Sequence, residues 1–166
     1  MFTDIDGTLV DINTAEYGKE TDKLIRLIKE RKIPLILTSA KTRLEQNKIR
    51  EDLGISDPFI VENGGAIVIP KGYFPDYALR DIKYPLRETQ ETENEDVNHE
   101  IVVELGKPAD YIRAKLSDIR KKYSINFRGV ADISVEKLSN LALISRDQAK
   151  RMAQRNYGET ILQIQS

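Results

Sequence analysis

Cysteine is absent from the 166-residue chain, which excludes a disulfide scaffold, a structural thiolate–zinc site, a cysteine nucleophile and an iron–sulfur cluster. The only histidine is His99, so no second imidazole exists for a histidine-based zinc site. Long apolar runs are missing as well, and none approaches the ~20 residues that a membrane span needs. The first ten residues carry two acids and no base, unlike a secretory signal with its positive leading region. Charge of one sign is lacking too. The 26 basic residues face 27 acidic ones, and a net charge of -1 leaves no electrostatic footprint for nucleic acid. A chain that is 40% hydrophobic and 32% charged is of globular composition. Its length suits one domain, or a small domain with an insertion. The expectation is a cytoplasmic protein, with neither nucleic acid nor membrane as partner, whose chemistry rests on carboxylates, hydroxyls and lysines.

What is present is an alternation of short apolar runs and amphipathic stretches. Phe2 and Ile5 mark a strand stub that ends in an acidic loop. Leu24, Ile25, Leu27 and Ile28 recur at helical spacing across residues 21–31, with Thr21 and Asp22 as cap and first-turn residues. Residues 33–37 and 58–61 read as buried strands, residues 41–53 as the helix between them, closed by Gly54. Glu62-Asn63-Gly64-Gly65 is a turn signal before a further strand at 66–69. Strand and helix in alternation predict βαβ units and a parallel sheet. The character changes near residue 83. Residues 87–100 carry six acids (Glu88, Glu91, Glu93, Glu95, Asp96 and Glu100) and Arg87 as their single base, which predicts a solvated loop. Beyond it the pattern predicts strands at 101–105, 125–128 and 160–164 and helices at 109–123, 135–143 and 146–156. The fold class expected is α/β, with residues 1–83 as the first part of a core and residues 84–166 as an α+β unit.

The segment Asp4-Ile5-Asp6-Gly7-Thr8-Leu9 carries the most chemistry. Asp4 falls at the carboxyl end of the first strand, where open α/β sheets place their ligand crevice. Asp6 follows two residues later, and Gly7 permits a tight turn. Carboxylates this close repel unless a cation or a shared proton relieves them, and magnesium is the simplest oxygen-seeking cation. A calcium loop of EF-hand type fails, since counting from Asp4 its glycine and glutamate positions hold Leu9 and Ala15. A receiver domain needs its aspartate on a later strand, and Glu62-Asn63 does not supply it. An ordinary surface turn stays open. Ser39 closes the second apolar run and Lys41 lies two residues on. In a parallel sheet the two loops share an edge, so Ser39 and Lys41 suit a phosphoryl group, although a plain helix cap reads equally from Ser39-Ala40-Lys41-Thr42.

Asp4-Ile5-Asp6-Gly7-Thr8 resembles the DxDGT motif of the haloacid dehalogenase superfamily of phosphatases, and Ser39 its second motif. More narrowly, Ser39-Ala40-Lys41-Thr42-Arg43-Leu44-Glu45-Gln46, Glu62-Asn63-Gly64-Gly65-Ala66-Ile67, Ile69-Pro70-Lys71-Gly72-Tyr73-Phe74-Pro75 and the late run Arg155-Asn156-Tyr157-Gly158-Glu159-Thr160-Ile161 resemble mannosyl-3-phosphoglycerate phosphatases. The resemblance implies a Rossmannoid parallel-sheet core, here partial, with an inserted α+β cap. It implies Asp4 as nucleophile, Asp6 as general acid and base, and Mg2+ bound by Asp4 and Asp6. Gly7, Thr8, Ser39 and Lys41 would cradle the phosphoryl group. Asn63, Gly64, Arg155 and Glu159 become candidates for contacts to a phosphorylated sugar, with a plain turn or structural salt bridges as their alternatives.

The superfamily's third and fourth motifs, a lysine and an acidic pair after the cap, have no counterpart here. The expectation is a fragment short of its carboxyl-terminal third, with impaired phosphatase activity and strands 33–37 and 59–61 partly uncovered. Two alternatives stand beside mannosyl-3-phosphoglycerate hydrolysis. One is a phosphatase for another sugar phosphate, of the sucrose-phosphate or phosphomannose type. The other is a non-catalytic sugar-phosphate-binding remnant.

Overall fold

The computed structural model describes residues 1–11, 14, 16–93 and 96–165. Six strands form one sheet: β1 (Phe2–Thr3), β2 (Ile36–Thr38), β3 (Phe59–Val61), β4 (Ala66–Pro70), β5 (Leu86–Glu93) and β6 (Asp96–Glu104), in the order β1-β2-β3-β4-β6-β5. β1, β2 and β3 are parallel, through Thr3↔Leu37 and Leu37↔Phe59, whereas β4, β6 and β5 run antiparallel. The predicted parallel sheet therefore holds for the first three strands and gives way to hairpins beyond the 62–65 turn.

Two helices cover one face. α1 (Lys19–Glu30) buries Thr21, Ile25 and Ile28, residues spaced to share a helical stripe. It starts earlier than expected, after Gly18, so Thr21 is no cap. Its hydroxyl donates to the Leu9 carbonyl at 3.0 Å and ties the helix to the acidic loop. α2 (Arg43–Leu53) begins at Thr42, whose hydroxyl accepts from the Glu45 amide while the Glu45 carboxylate accepts from the Thr42 amide. That reciprocal cap satisfies two otherwise orphaned donors. Gly54 ends α2 in the left-handed conformation. Beneath both helices lie Ile5, Leu35, Leu37, Phe59, Val61 and Val68, each no more than 1% exposed. The alternate strand residues Ile36, Ile60 and Ile67 are half-buried. The strand foreseen at 33–37 is shorter, because Pro34 has no N–H and the Leu35 amide donates to the Asp57 carboxylate at 2.8 Å. The expected partial uncovering of these strands is seen at Ile33, which is exposed, and at Ile36 and Ile60, which are only half-buried, while their neighbours on the helix-covered face are buried. Phe2, read as buried, is exposed as well, in contrast to Ile5.

The acidic stretch 87–100 is not a loop. β5 and β6 pair along their length, from Leu86↔Val103 to Glu93↔Asp96. Glu95 lies outside the described residues. Two things overcome the charge repulsion. Val102 and Val103 are buried and anchor the hairpin on β4. Glu100, 4% exposed, is met by Arg43 at 2.6 Å and Arg50 at 3.9 Å. The six-stranded sheet consequently runs straight across position 83/84. A short helix not foreseen, α3 (Asp76–Leu79), precedes it.

The remaining elements are α4 (Ala109–Tyr123), β7 (Asn126–Gly129), a 3-10 turn (Val130–Asp132), α5 (Val135–Ala142), α6 (Arg146–Ala153) and β8 (Ile161–Gln165). β7 and β8 pair antiparallel in a second sheet. Val130, Leu138 and Ala149 form a separate small core with Ile133, Ile144, Met152 and Leu162 around it. α6 packs beside α2, and the Thr42 hydroxyl donates to the Arg151 carbonyl at 2.9 Å. α6 stops three residues short of the predicted end because the backbone of Asn156 is engaged elsewhere, by Glu62. Among the described residues no helix is long and apolar enough to cross a membrane.

Candidate active site

Asp4 is the first residue past β1 and is exposed; one carboxylate oxygen accepts from the Ile5 amide at 2.7 Å. The chain then turns tightly. Gly7 has φ 77°, which side chains tolerate poorly, and its amide donates to the Val10 carbonyl at 2.8 Å. The amides of Thr8, Leu9 and Val10 all donate to the Ile5 carbonyl. The turn thus uses the Gly7 and Thr8 amides internally, and what it offers outward is the exposed Thr8 side chain beside Asp4 and Asp6.

The loop after β2 comes to the same edge, as the parallel register requires. Ser39 is buried, donates its amide to the Ile60 carbonyl at 3.2 Å, and accepts the Lys41 amide on its hydroxyl at 3.2 Å. The cap of α2 is Thr42, so Ser39 is not needed for that role. Lys41 reaches across to Asp6, Nζ to Oδ1 at 2.9 Å, with a quarter of the lysine side chain and 45% of the aspartate side chain exposed. The sequence predicts Lys41 as a contact to a phosphoryl group held beside the acidic loop. The structure brings it directly onto Asp6.

Asp6, Ala40, Lys41 and Arg155 line a cleft of about 570 Å3, closed on one side by Tyr17, Lys48 and Asp52 and on the other by Ile144, Arg151 and Met152 of the α5–α6 unit. Tyr17 donates to Asp52 at 3.2 Å, and burial together with that carboxylate pushes its phenol up to about 12. Asn63 is exposed and donates its amide to the Ser39 carbonyl at 3.0 Å, while Gly64 continues the turn with φ 88°. Arg155 donates through both terminal nitrogens to the Ala40 carbonyl, at 3.2 and 3.0 Å. Glu159 is committed elsewhere: its side chain is 3% exposed, pairs with Arg113 at 2.8 Å and accepts the Thr160 amide. Of its two readings, the salt bridge is what the structure contains.

Glu62 and Tyr157 escaped the sequence reading. The Glu62 side chain is 1% exposed and accepts the amides of Asn156 and Tyr157 at 2.8 and 3.1 Å. Tyr157 packs where Gly65 lacks a side chain; a Cβ there would meet the Tyr157 Cβ at 2.4 Å. Its hydroxyl donates to Glu104 at 2.9 Å and accepts from Arg87 at 3.3 Å. The available signal was the pairing of Gly64-Gly65 with a late aromatic, which identifies a close approach only once the partner is known.

Among the described residues no group of three or more carboxylates or imidazoles is gathered on one metal position. The donor set at the end of β1 is two aspartates. That number suits magnesium, which keeps several waters and commonly takes one or two carboxylates plus substrate phosphate.

The family model of haloacid dehalogenase-like hydrolases matches residues 1–78. A glucosyl-3-phosphoglycerate/mannosyl-3-phosphoglycerate phosphatase of Methanococcoides burtonii is 36% identical over 159 residues, 96% of this chain and 53% of that protein. The mannosyl-3-phosphoglycerate phosphatase of Pyrococcus horikoshii is 33% identical over 98% of this chain and 59% of its own length. The chain thus spans little more than half the length of the curated relatives it matches. In fold, it matches a phosphatase of the haloalkanoate superfamily from Bacteroides thetaiotaomicron with a TM-score of 0.52 at 13% identity, over 86% of this chain and 46% of the other. Residues 1–78 thus match the haloacid dehalogenase-like hydrolase family, and the chain has the α/β fold of the phosphatase it resembles.

Proposed function

We propose that this chain carries the nucleophile end of a phosphoric monoester hydrolase whose substrate is a phosphorylated sugar-glycerate of the mannosyl-3-phosphoglycerate kind. The observation that carries the reading is the meeting of the Asp4–Asp6 turn with the loop after β2, through Lys41 on Asp6, at the mouth of the cleft. Relatives named for that substrate support its identity, and a cytoplasmic setting belongs to the same reading. Residues 84–166 would contribute the cap, with the β5–β6 hairpin as its root in the core sheet.

In this mechanism an Asp4 carboxylate oxygen attacks phosphorus. The new O–P bond forms as the bond from phosphorus to the glycerate oxygen breaks, and Asp6 in its acid form delivers the proton to that oxygen. Water then attacks the aspartyl-phosphate, giving its proton to the Asp6 carboxylate, and the Asp4–phosphorus bond breaks to release orthophosphate. Asp6 cannot give up a proton while it is the ion-pair partner of Lys41. An arriving phosphate, with more charge than one carboxylate, competes for Lys41 and frees Asp6 for its role. Ser39 and the Thr8 hydroxyl orient the remaining phosphoryl oxygens. The Asp4 carboxylate and the Asp6 backbone carbonyl would hold magnesium, which would supply charge neutralisation when bound.

The test is trapping of phosphoenzyme from phosphorylated sugar-glycerate with magnesium, for the wild-type chain and for Asp4→Asn. Label on the wild type that disappears in the variant is the expected result. Equal label on both refutes the nucleophile assignment. A panel of sugar phosphates decides between substrate types. Binding of the substrate without any label favours the sugar-phosphate-binding alternative.

A further inference from the structure

All three carbonyls of the loop that carries Ser39 and Lys41 accept hydrogen bonds from outside the loop. The Ser39 carbonyl accepts the Asn63 amide at 3.0 Å, the Lys41 carbonyl accepts the Glu62 amide at 3.1 Å, and the Ala40 carbonyl accepts both terminal nitrogens of Arg155. The loop's shape is therefore set by the 62–63 turn, by Gln46 of α2, whose Nε2 also donates to the Lys41 carbonyl at 3.3 Å, and by a side chain that arrives from 115 residues away.

The turn is not one that this sequence adopts cheaply. Glu62, Asn63 and Gly64 all have positive φ, 50°, 58° and 88°. For a glutamate this is a sparsely populated conformation that persists only when surroundings over-determine it. The surroundings here are residues 155–157. Both Glu62 carboxylate oxygens are occupied by the Asn156 and Tyr157 amides, and the Arg155 guanidinium lies 3.8 Å away, its own side chain 10% exposed. Without the 155–157 segment in place, the Glu62 carboxylate would lose both amides and the guanidinium that hold this turn in its strained conformation. The turn would relax, the Ser39 carbonyl would lose the Asn63 amide, and the Lys41 carbonyl would keep only the Gln46 side chain.

We propose that Glu62 is a positioning residue. Its carboxylate clasps the backbone of residues 156–157 and seats Arg155 on Ala40, so that the loop bearing Ser39 and Lys41 takes its ligand-ready shape only when this segment is docked. This deepens the function proposed above and rests on the reading of residues 39–41 as a phosphoryl-binding loop. Tyr157 secures the same joint through the space left by Gly65 and the bond to Glu104.

The experiment compares the wild-type chain, Glu62→Gln and Arg155→Lys by hydrogen exchange, with melting temperature as the control for global folding. Glu62→Gln leaves one acceptor for two amides. Exchange should accelerate at least about tenfold in peptides covering 153–159 and also in those covering 38–44. Arg155→Lys removes the two-nitrogen grip on Ala40 but leaves the Glu62 bonds. It should accelerate 38–44 while residues 156–157 stay protected. Faster exchange at 153–159 with no change at 38–44 overturns the coupling, as does an unaffected 38–44 in Arg155→Lys. If Glu62→Gln does not fold, the arginine variant decides alone. Inorganic phosphate with magnesium, titrated by calorimetry, is the second readout. Affinity about tenfold weaker in both variants is expected from loss of a charge-assisted bond, and unchanged affinity refutes a positioning role. A wild-type chain that binds no phosphate refutes the phosphoryl-loop reading, and the exchange pattern still decides the coupling.

Discussion

Thr42 is wholly buried, and its hydroxyl makes two different bonds. It accepts from the Glu45 amide at 3.3 Å as the cap of α2, and it donates to the Arg151 carbonyl of α6 at 2.9 Å. Thr42→Val keeps the shape and removes both. Loss of a helix cap costs ~1 kcal/mol, and loss of an intramolecular hydrogen bond costs ~1 kcal/mol more. The expected destabilisation is thus roughly 2 kcal/mol, or a melting temperature lower by about 4–8 °C for a chain of this size. Thr42→Ser keeps both bonds and deletes one buried methyl, at ~0.8 kcal/mol, a drop of about 2–3 °C. Urea unfolding followed by circular dichroism measures both differences from the shift in midpoint at constant slope. Thr42→Ala should cost about the sum of the two. A serine variant that is no more stable than the valine variant would refute the reasoning, because it would mean that packing around the methyl, rather than the hydroxyl, joins α2 to α6.

Two further outcomes follow from the charges. Glu100→Ala removes the buried carboxylate that pairs with Arg43 and faces Arg50 and should cost ~3–5 kcal/mol, whereas Glu20→Ala, breaking the exposed pair with Lys23, should cost less than ~0.5 kcal/mol; equal midpoints in urea would contradict the difference. Tyr17 is raised from its ordinary value of 10.0 to about 12, so the folded state holds the phenolic proton more tightly than the unfolded chain. Its contribution to stability is complete below pH 10.0, falls as pH rises from there to about 12, and is gone above it. Tyr17→Phe should flatten the stability profile across that window and remove a late-titrating phenolate from the absorbance curve, and an unaltered curve would refute the shift.

The elements that were legible in sequence are those whose signals are local. The stripe of Ile25 and Ile28 marked α1, Gly54 marked the end of α2, and α4 was foreseen at residues 109–123 with the same limits as in the structure. The acidic turn and the serine after β2 were legible because a parallel sheet brings successive loops to one edge, whatever the details. What was not legible depended on partners distant in the chain. Counting acids predicted a solvated loop at 87–100, but Glu100 finds its arginines on α2, some fifty residues earlier. Helix α6 looked longer than it is because nothing near residues 154–156 reveals that Glu62 takes the amides of Asn156 and Tyr157. Glu62 itself lay inside a recognised turn signal, where its neighbours Asn63 and Gly64 drew the attention that a buried carboxylate would have merited.

The near-zero net charge conceals how the acids are spent. Glu62 and Glu100 are buried, the Glu159 side chain is 3% exposed, and each meets an arginine from another element: Glu62 with Arg155, Glu100 with Arg43 and Arg50, Glu159 with Arg113. The pairs sit at joins between distant parts of the chain, between the 62–65 turn and residues 155–157, between β6 and α2, and between α4 and the segment entering β8. As sources of stability such pairs are poor, since desolvation offsets most of their attraction. Their effect is on alternatives. An apolar join would tolerate a slipped or partly opened arrangement at modest cost, because one greasy contact substitutes for another. A glutamate pulled from its arginine has no substitute, and every misplaced docking leaves a bare charge in a dry site. The folded arrangement of sheet, α2 and the late elements is thereby distinguished from its near neighbours, and the cleft at Asp6 and Lys41, formed between those same parts, inherits a defined shape from them.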